Sequence, residues 1–402
     1  MKTAIIGAGA AGCFCATILK RLSPESQIDL YESGKKPLQK VAITGGGRCN
    51  LTNSFSDVRS MNQVYPRGHN LMKRLFKRFD HRATMQWFEN EGVRLVTQDD
   101  QCVFPQSQDA MEIVTTLLRG IEGARIFTSQ RVKEILPCGE HRFRIYTDSR
   151  SDVYDNVVVT TGGSPKASGL DFLSGLALEI VPPVPSLFTF NIGDEAGTSP
   201  ITALMGVVVK QAEVRLPGTS YKADGPLLIT HWGLSGPSIL RLSSYAARWL
   251  AERGYQAPLS VNWMGGMNEE EVRKLLQQQL NEQPRKQIGN VHILTQRLWT
   301  YILNKIEIAP ERRCAEMGSK QLNRLVATLC NDTYRIAGQS RYKEEFVTCG
   351  GVSLSNIDPN TLECKEHRGL YFAGEVLDVD AVTGGFNLQA AWTMGYVAAQ
   401  LE

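Results

Sequence analysis

The sequence lacks the marks of several large protein classes. It has no excess of charge of one sign: 44 Lys and Arg against 41 Asp and Glu leave a net +3. That is too little to argue for a nucleic-acid groove or an anionic membrane surface as partner. Histidine is scarce, at 6 in 402 residues, and the 9 cysteines form no C-x-x-C, the nearest pair being Cys13 and Cys15. No metal-ligand spacing is present, so no metal site is expected. Nine thiols, an odd number without a disulfide framework, fit a cytoplasmic protein better than a secreted one. No apolar run reaches the roughly 20 residues of a membrane helix. Residues 3–19 are uncharged, but they carry three glycines and only Lys2 stands before them, so they read neither as a span nor as a signal peptide. Internal repeats and low-complexity tracts are missing too.

What is present is ordinary globular material, 42% apolar and 21% charged, in a length that suggests two or three domains. Its first segment is specific. Residues 3–6 form a short apolar strand that runs into Gly7-x-Gly9-x-x-Gly12. A helical pattern follows over residues 10–20, then a second strand over 27–31 ending at Glu32. Gly7 suits a tight turn, Gly9 a close backbone approach to a pyrophosphate, and Gly12 close packing of helix on strand. With Ala11 they occupy the helix N-terminus, where free N–H groups and the helix dipole favour a diphosphate. Glu32 stands twenty residues after Gly12, where a carboxylate accepts hydrogen bonds from an adenosine ribose. An acid rather than an arginine there points to FAD or NAD and away from NADP in this site.

No second G-x-G-x-x-G exists, so no separate nicotinamide domain is visible. The C-terminal region instead supplies what a flavin needs. A strand over residues 370–373 ends in Gly374-Glu375, and "TGGFN" (383–387) opens a helix to about 400. The N-terminus of that helix, at Gly385, Asn387 and Leu388, is placed to aim N–H groups at the N1–C2=O edge of a flavin. Gly162-Gly163, at the end of the strand "VYDNVVVTT", marks another close backbone approach.

"VAITGGGRCNLTN" follows the ribose acid by about a dozen residues. Gly45, Gly46 and Gly47 leave backbone bare for a ligand, and Arg48 can neutralise a phosphate or hold a flavin oxygen. Cys49 is either a redox thiol or a small buried filler; no partner thiol is near in sequence, which favours the filler. "GKKPLQKVAITGGGRCNLTN" resembles the triple-glycine signature of a bacterial flavoprotein family. That family is often labelled aminoacetone-oxidase-like, includes the bile-acid-inducible flavoproteins, and consists of predicted NAD(P)/FAD-dependent oxidoreductases. "CVFPQSQDA", "THWGLSGPSILRLS", "TCGGVSL" and "GLYFAGEVLDVDAVTGGFNLQAAWTMG" resemble its other marks, in order. The resemblance implies an α/β fold: a Rossmann-like FAD domain with an inserted β-rich domain and a small helical domain. It also implies that Lys40 lies at the cofactor and that Val132 meets adenine through its backbone. After "VVVTTGGSPKASG" the chain departs from the family pattern, which puts an inherited substrate preference in doubt.

Residues 67–120 read as helices with one strand, 93–97. "IVPPVPS" (180–186) reads as a proline-rich boundary, and alternating segments suggest β structure from 187 to 263. Asn268 before three glutamates caps a helix, and helices continue to about 331. The expected division is therefore 1–186 and 348–402 for FAD, 187–263 and 333–347 β-rich, and 264–332 helical. His231, at the end of an apolar strand, is either a substrate acid or base or a histidine that fixes the following turn. The second reading is the simpler. Trp232 beside it suits interface packing or stacking on a ring.

The functional expectation is a non-covalent FAD enzyme whose flavin takes two electrons from a small reduced substrate, or from transient NAD(P)H, and passes them to oxygen or another acceptor. Oligomeric state is not legible. The rivals are a flavin-dependent tRNA-modifying enzyme, against which the near-neutral charge counts, and a flavin-binding sensor without turnover.

Overall fold

The computed structural model of the chain describes residues 1–164, 166–193, 199–339 and 347–401. They fall into two compact units, Met1–Val184 with Val347–Glu402, and Pro185–Phe346.

The first unit is built on a parallel sheet of five strands: β1 (Lys2–Ile6), β2 (Gln27–Tyr31), β3 (Arg125–Phe127), β4 (Asn156–Val159) and β5 (Leu370–Phe372). Their order is β5-β4-β1-β2-β3. The strands are short continuous apolar runs because both faces are covered: Ala4, Ile5, Leu30 and Val157 to Val159 are completely buried. The register decides where a site can form. Ile6 lies opposite both Tyr31 and Val159, and Val159 opposite Phe372. The strands thus end level, and the turns at Gly7, Glu32, Thr160 and Gly374 gather at one carboxyl edge, where open α/β sheets bind ligands. Helix α1 (Ala10–Leu22) leaves β1 there and packs on α2 (Phe386–Ala398). The two backbones cross closely: a Cβ on Gly395 would stand 2.7 Å from the Ala11 carbonyl oxygen.

The region 67–120 holds a second strand beyond the one expected. Leu95–Thr97 and Cys102–Pro105 form a hairpin, and Cys102–Pro105 also pairs with Thr52–Asn53. "CVFP" is too short and too uniformly apolar for its period to separate strand from helix. The hairpin turn is set by Asp100, whose Oδ1 accepts the Cys102 N–H at 3.1 Å. The proline-rich stretch is also more than a boundary. Ile180–Ser186 is a strand of a two-stranded ribbon with Val347–Val352, the two-stranded setting in which prolines need not donate to a ladder on both sides.

The second unit contains a closed antiparallel barrel of six strands. In spatial order they are Phe190–Ile192, Gly233–Ser235, Lys222–Ile229, Val208–Arg215, Ala257–Asn262 and Asp332–Gln339. Residues 340–346, part of the expected β return, lie outside the described residues. The helices Glu269–Glu282, Gln296–Lys305 and Ser319–Cys330 share one apolar core with the barrel, including Trp263, Leu276, Trp299, Leu325 and Ile336. Asn268 caps the first of them, its Oδ1 accepting the Glu271 N–H while the Glu271 carboxylate accepts the Asn268 N–H. Asp332, almost fully buried, accepts hydrogen bonds from Trp263 Nε1 (2.9 Å) and Tyr334 (2.5 Å) and pairs with Lys305. Among the described residues no helix is long and apolar enough to cross a membrane.

Candidate cofactor site

The turn after β1 is fastened before any ligand arrives. The Gly7 N–H donates to Tyr31 O (2.7 Å), Thr160 Oγ1 donates to Gly7 O (2.8 Å), and the Leu38 N–H donates to Ala8 O (2.8 Å). Each glycine has its own reason. A Cβ on Gly7, at φ +107°, would lie 2.5 Å from Thr160 O, and one on Gly12 only 1.9 Å from Gly7 O. A Cβ on Gly9 would meet nothing within 4 Å. Gly7 and Gly12 therefore serve the fold, while Gly9 faces open space at the start of α1, whose first turn has no side-chain cap. Uncapped N–H groups facing bare space are what an anion needs. Ala11 is buried: its Cβ would be 3.1 Å from a Cβ on Gly374, so both serve the crossing of α1 and β5.

Glu32 is half-buried at the end of β2. Its Oε2 accepts the Ala8 N–H (3.1 Å) and its Oε1 the Gly34 N–H (2.6 Å). Ser33 Oγ also donates to Oε1 (3.4 Å); a carboxylate offers about four lone-pair positions, so these three donors leave room for a ribose hydroxyl. Val132, where the adenine is expected, is buried and pairs with Thr147 at the start of a three-stranded sheet.

The triple glycine belongs to the segment Gln39–Gly47, whose helical path breaks at Thr44 to Gly46. A Cβ on Gly45 would stand 2.9 Å from Asn50 N, whereas Cβ atoms on Gly46 and Gly47 would meet nothing within 4 Å. The exposed Arg48 is steered: its guanidinium lies 4.5 Å over the Phe104 ring, Nε donates to Gly45 O (3.2 Å) and Nη1 to Gln108 Oε1 (3.4 Å). Lys40 is exposed on the same segment. Cys49 is fully buried, and burial pushes its thiol up to about 12. A fully buried thiol held protonated is a poor nucleophile, which favours the filler reading over the redox one.

At the other end of the edge, Gly163, Thr348 and Glu375 come together. Glu375 Oε1 accepts the Thr348 N–H (2.7 Å), and a Cβ on Gly163 would fall 2.6 Å from that same oxygen. Helix α2 starts at Gly385 (φ +88°) with no side-chain cap. Asn387 does not face outward as a donor. Its Oδ1 accepts the Ala381 N–H (2.9 Å) and its Nδ2 donates to Ala381 O (3.0 Å), closing the turn that leads into α2. Leu388 is half-buried beside it.

Sequence reasoning missed the residues that hold this turn. Asn53 Nδ2 donates to Gly384 O (3.0 Å) and its Oδ1 accepts the Phe55 N–H (2.9 Å). Thr52 Oγ1 meets Gln389 Oε1 (2.5 Å), Tyr65 donates to Phe386 O (2.9 Å), and Arg67 pairs with buried Asp380. Asn53 was visible as the last letter of the glycine signature. Arg67 and Asp380 lie 313 positions apart, and nothing local in either segment signals the other. His231 belongs to the second unit, where it is exposed at the turn before Gly233–Ser235 with its ring 4.3 Å from that of Trp232.

Bare glycine, uncapped helix starts and a strand-end carboxylate on one sheet edge fit a flavin dinucleotide. Comparison with known proteins decides the family, because residues 1–401 match the family described as HI0933-like protein Rossmann domain. The chain belongs to this family. It is an FAD-dependent oxidoreductase on a Rossmann-type α/β fold. Among curated relatives it is similar to a 3-dehydro-bile acid delta(4,6)-reductase of Clostridium scindens, at 27% identity over 99% of this chain and 98% of that one. It is also similar to ribosomal RNA dihydrouridine synthases, at 28% identity in Escherichia coli and 29% in Haemophilus influenzae, each covering 98% of this chain and 96% of the relative. Among solved structures, an E. coli quinol fumarate reductase aligns over 100% of this chain and 69% of its own, with a TM-score of 0.49 and 15% identity.

Proposed function

We propose that the first unit binds one FAD and that the protein reduces a carbon–carbon double bond conjugated to a carbonyl in a small organic substrate, with NAD(P)H as electron source. The observation that carries this reading is the chemistry common to relatives matched end to end. Delta(4,6) denotes ring double bonds of a keto steroid, and dihydrouridine is uridine with one ring double bond saturated. Both activities add a hydride and a proton across an electron-poor double bond.

Flavin, when bound, would supply the two-electron carrier between the nicotinamide and the substrate. The N–H groups at the start of α1 would hold the diphosphate beside Gly9. Glu32 would accept a ribose hydroxyl, and the backbone at Val132 would meet the adenine. The bare face of Gly46 and Gly47, with Lys40 and Arg48, would border the phosphate and ribityl part, and Gly163 and Glu375 the ribityl chain on the other side. The start of α2 at Gly385, Asn387 and Leu388 would present its dipole to the N1–C2=O edge and favour the anionic reduced ring.

A second reading keeps the chemistry and replaces the substrate by uridine within RNA. The two dihydrouridine synthases favour it; the net charge of +3 counts against it. The test is anaerobic. Protein reconstituted with FAD is reduced with NADH or NADPH, then mixed with a 3-keto-4,6-diene steroid acid, with simple cyclic enones, or with unmodified ribosomal RNA. Return of flavin absorbance with a product heavier by two hydrogens in an enone arm supports the proposal. Turnover with RNA alone moves the substrate to the second reading. Reoxidation by oxygen but by none of these compounds overturns both.

A further inference from the structure

The net charge of +3 is an average, and one face of the first unit departs from it. Residues 69–82 hold five Lys and Arg against one carboxylate. The helix His69–Leu75 runs on as a helical turn, because the Phe76 N–H donates to Met72 O (2.9 Å) and the Phe79 N–H to Leu75 O (3.1 Å). Its inner side is apolar: Leu71, Met72, Leu75 and Phe79 are buried. Residues four apart share a side of a helix. Lys73 with Lys77 and Arg74 with Arg78 therefore form two rows on the outer side, all exposed, and the exposed Arg82 follows them. Like charges at that spacing oppose each other. Among the described residues none of these five cations has a carboxylate at ion-pair distance. Asp80, the one acid of the stretch, is a helix cap, its Oδ1 accepting the Ala83 N–H (2.9 Å). Arg74 Nη1 and Arg78 Nη1 donate instead to Asn360 Oδ1 (3.0 Å) and Asn360 O (2.6 Å), so the two guanidinium groups are held in place without being neutralised. Solubility is served as well by charges of both signs interspersed, and does not call for such a row. Three rings link this face to the start of α2. Phe76, in the same turn, lies 5.2 Å from the Phe55 ring, which lies 5.1 Å from that of Phe386, the first residue of α2.

We propose that this face docks the phosphate backbone of RNA and holds a strand beside the start of α2, where a uridine turned out of the strand would meet the flavin. This rests on the uridine reading above. RNA carries a charge on every nucleotide, so one strand can engage several of these cations at once, and each contact releases counterions. A small carboxylate substrate has no such repeat. A helix that lies on a membrane carries apolar residues to insert beside its cations, whereas every fully exposed residue from 69 to 82 is polar.

The test uses the full chain as purified, with no nicotinamide added, so that binding is read apart from turnover. A fluorescein-labelled, uridine-rich RNA hairpin is titrated with wild type and with the triple variant Lys73→Gln, Lys77→Gln, Arg82→Gln. Arg74 and Arg78 stay, because their ties to Asn360 belong to the fold. The control is Lys133→Gln, Lys222→Gln, Lys274→Gln, which removes the same net charge from lysines paired with Asp148, Glu213 and Glu270. Wild-type affinity should fall steeply between about 50 and 200 mM salt. The face variant should lose about two to three units of the log–log salt slope, roughly 0.7–0.9 for each phosphate contact, and bind at least tenfold more weakly at the lower salt. The control should keep the wild-type slope and affinity. Equal weakening in both triple variants reduces the effect to net charge and overturns the docking face, as does a wild type that binds no RNA at the lower salt. Binding to phosphatidylcholine–phosphatidylserine vesicles but not to RNA, lost in the face variant, gives the face to a membrane and overturns the RNA partner. Salt-dependent binding through this face without reduction of uridine upholds the docking and counts against the uridine chemistry alone.

Discussion

Gly46 offers the sharpest test of where the cofactor lies. It sits at φ +69°, ψ +35°, and a Cβ there would touch no protein atom within 4 Å. Gly46→Ala therefore costs the apo protein only left-handed backbone strain, about 1–2 kcal/mol. For a unit of this size that corresponds to a fall of roughly 2–8 °C in melting temperature. Gly92 is the matched control: φ +90°, again nothing within 4 Å, at the turn after the helix His81–Asn90. Gly92→Ala should show the same apo loss. If the open side of Gly46 is the face a cofactor covers, its methyl group displaces the ligand, and FAD binding should weaken by a further factor of ten or more, about 1.4 kcal/mol. The control should keep wild-type affinity. The assays are flavin fluorescence titration and differential scanning calorimetry of apo and FAD-loaded protein. Equal dissociation constants for the two variants, with equal apo losses, would refute the placement of the triple glycine against the cofactor.

Flavin released by heating should be FAD rather than FMN, because the adenosine half-site of Gly9 and Glu32 has no counterpart in FMN; chromatography of the supernatant decides this. Cys49→Ser should leave FAD content and turnover within about twofold, and a native-state thiol reagent at pH 8 should spare Cys49 until denaturant is added, since burial holds its pKa near 12. Loss of turnover in that variant with FAD retained would restore the redox reading. Asp332→Asn should lower stability by about 1.5–3 kcal/mol, the range for losing hydrogen bonds to a charged group, since Lys305 is partly exposed, with no change in FAD affinity; a shift in affinity would show that the network of Trp263, Tyr334 and Lys305 reaches beyond its own unit. Burial lowers the pKa of His81 below its ordinary value. The unfolded chain then takes up that proton first as pH falls below about 6.5, so stability should drop from there towards the folded-state pKa, and His81→Gln should flatten the acid side of a melting-versus-pH curve.

The nucleotide edge of the sheet was legible because its signals are local. Strand, glycine turn, helix, strand and acid lie within the first 32 residues, and each has a fixed offset. The same holds for the turn into α2 and for the Asn268 cap. What failed to show was long-range. The strand Cys102–Pro105 pairs both with Leu95–Thr97 and with Thr52–Asn53, half a hundred residues away, and its own apolar run is silent about period. Nothing in the sequence shows that the side-chain amide of Asn387 is taken up by Ala381, which leaves only its backbone N–H at the helix start. Ala11 and Gly374 share the motif's positions but are used up in packing α1 on β5. Motif membership names the candidate residues; only coordinates separate glycines whose open side is free from those against which the turn is packed.

The ribbon of Ile180–Ser186 and Val347–Val352 has a consequence for how such a protein can change over time. Gly350 lies against Pro182 and Pro183, while the Ser353 N–H donates to Glu179 O, so the strands run in opposite directions. The chain leaves the nucleotide-binding unit and returns to it at one doorstep. The second unit, Pro185–Phe346, is one continuous segment of the chain. Because that segment is continuous in sequence, a lineage could lengthen, replace or recombine it while the nucleotide-binding unit is inherited intact.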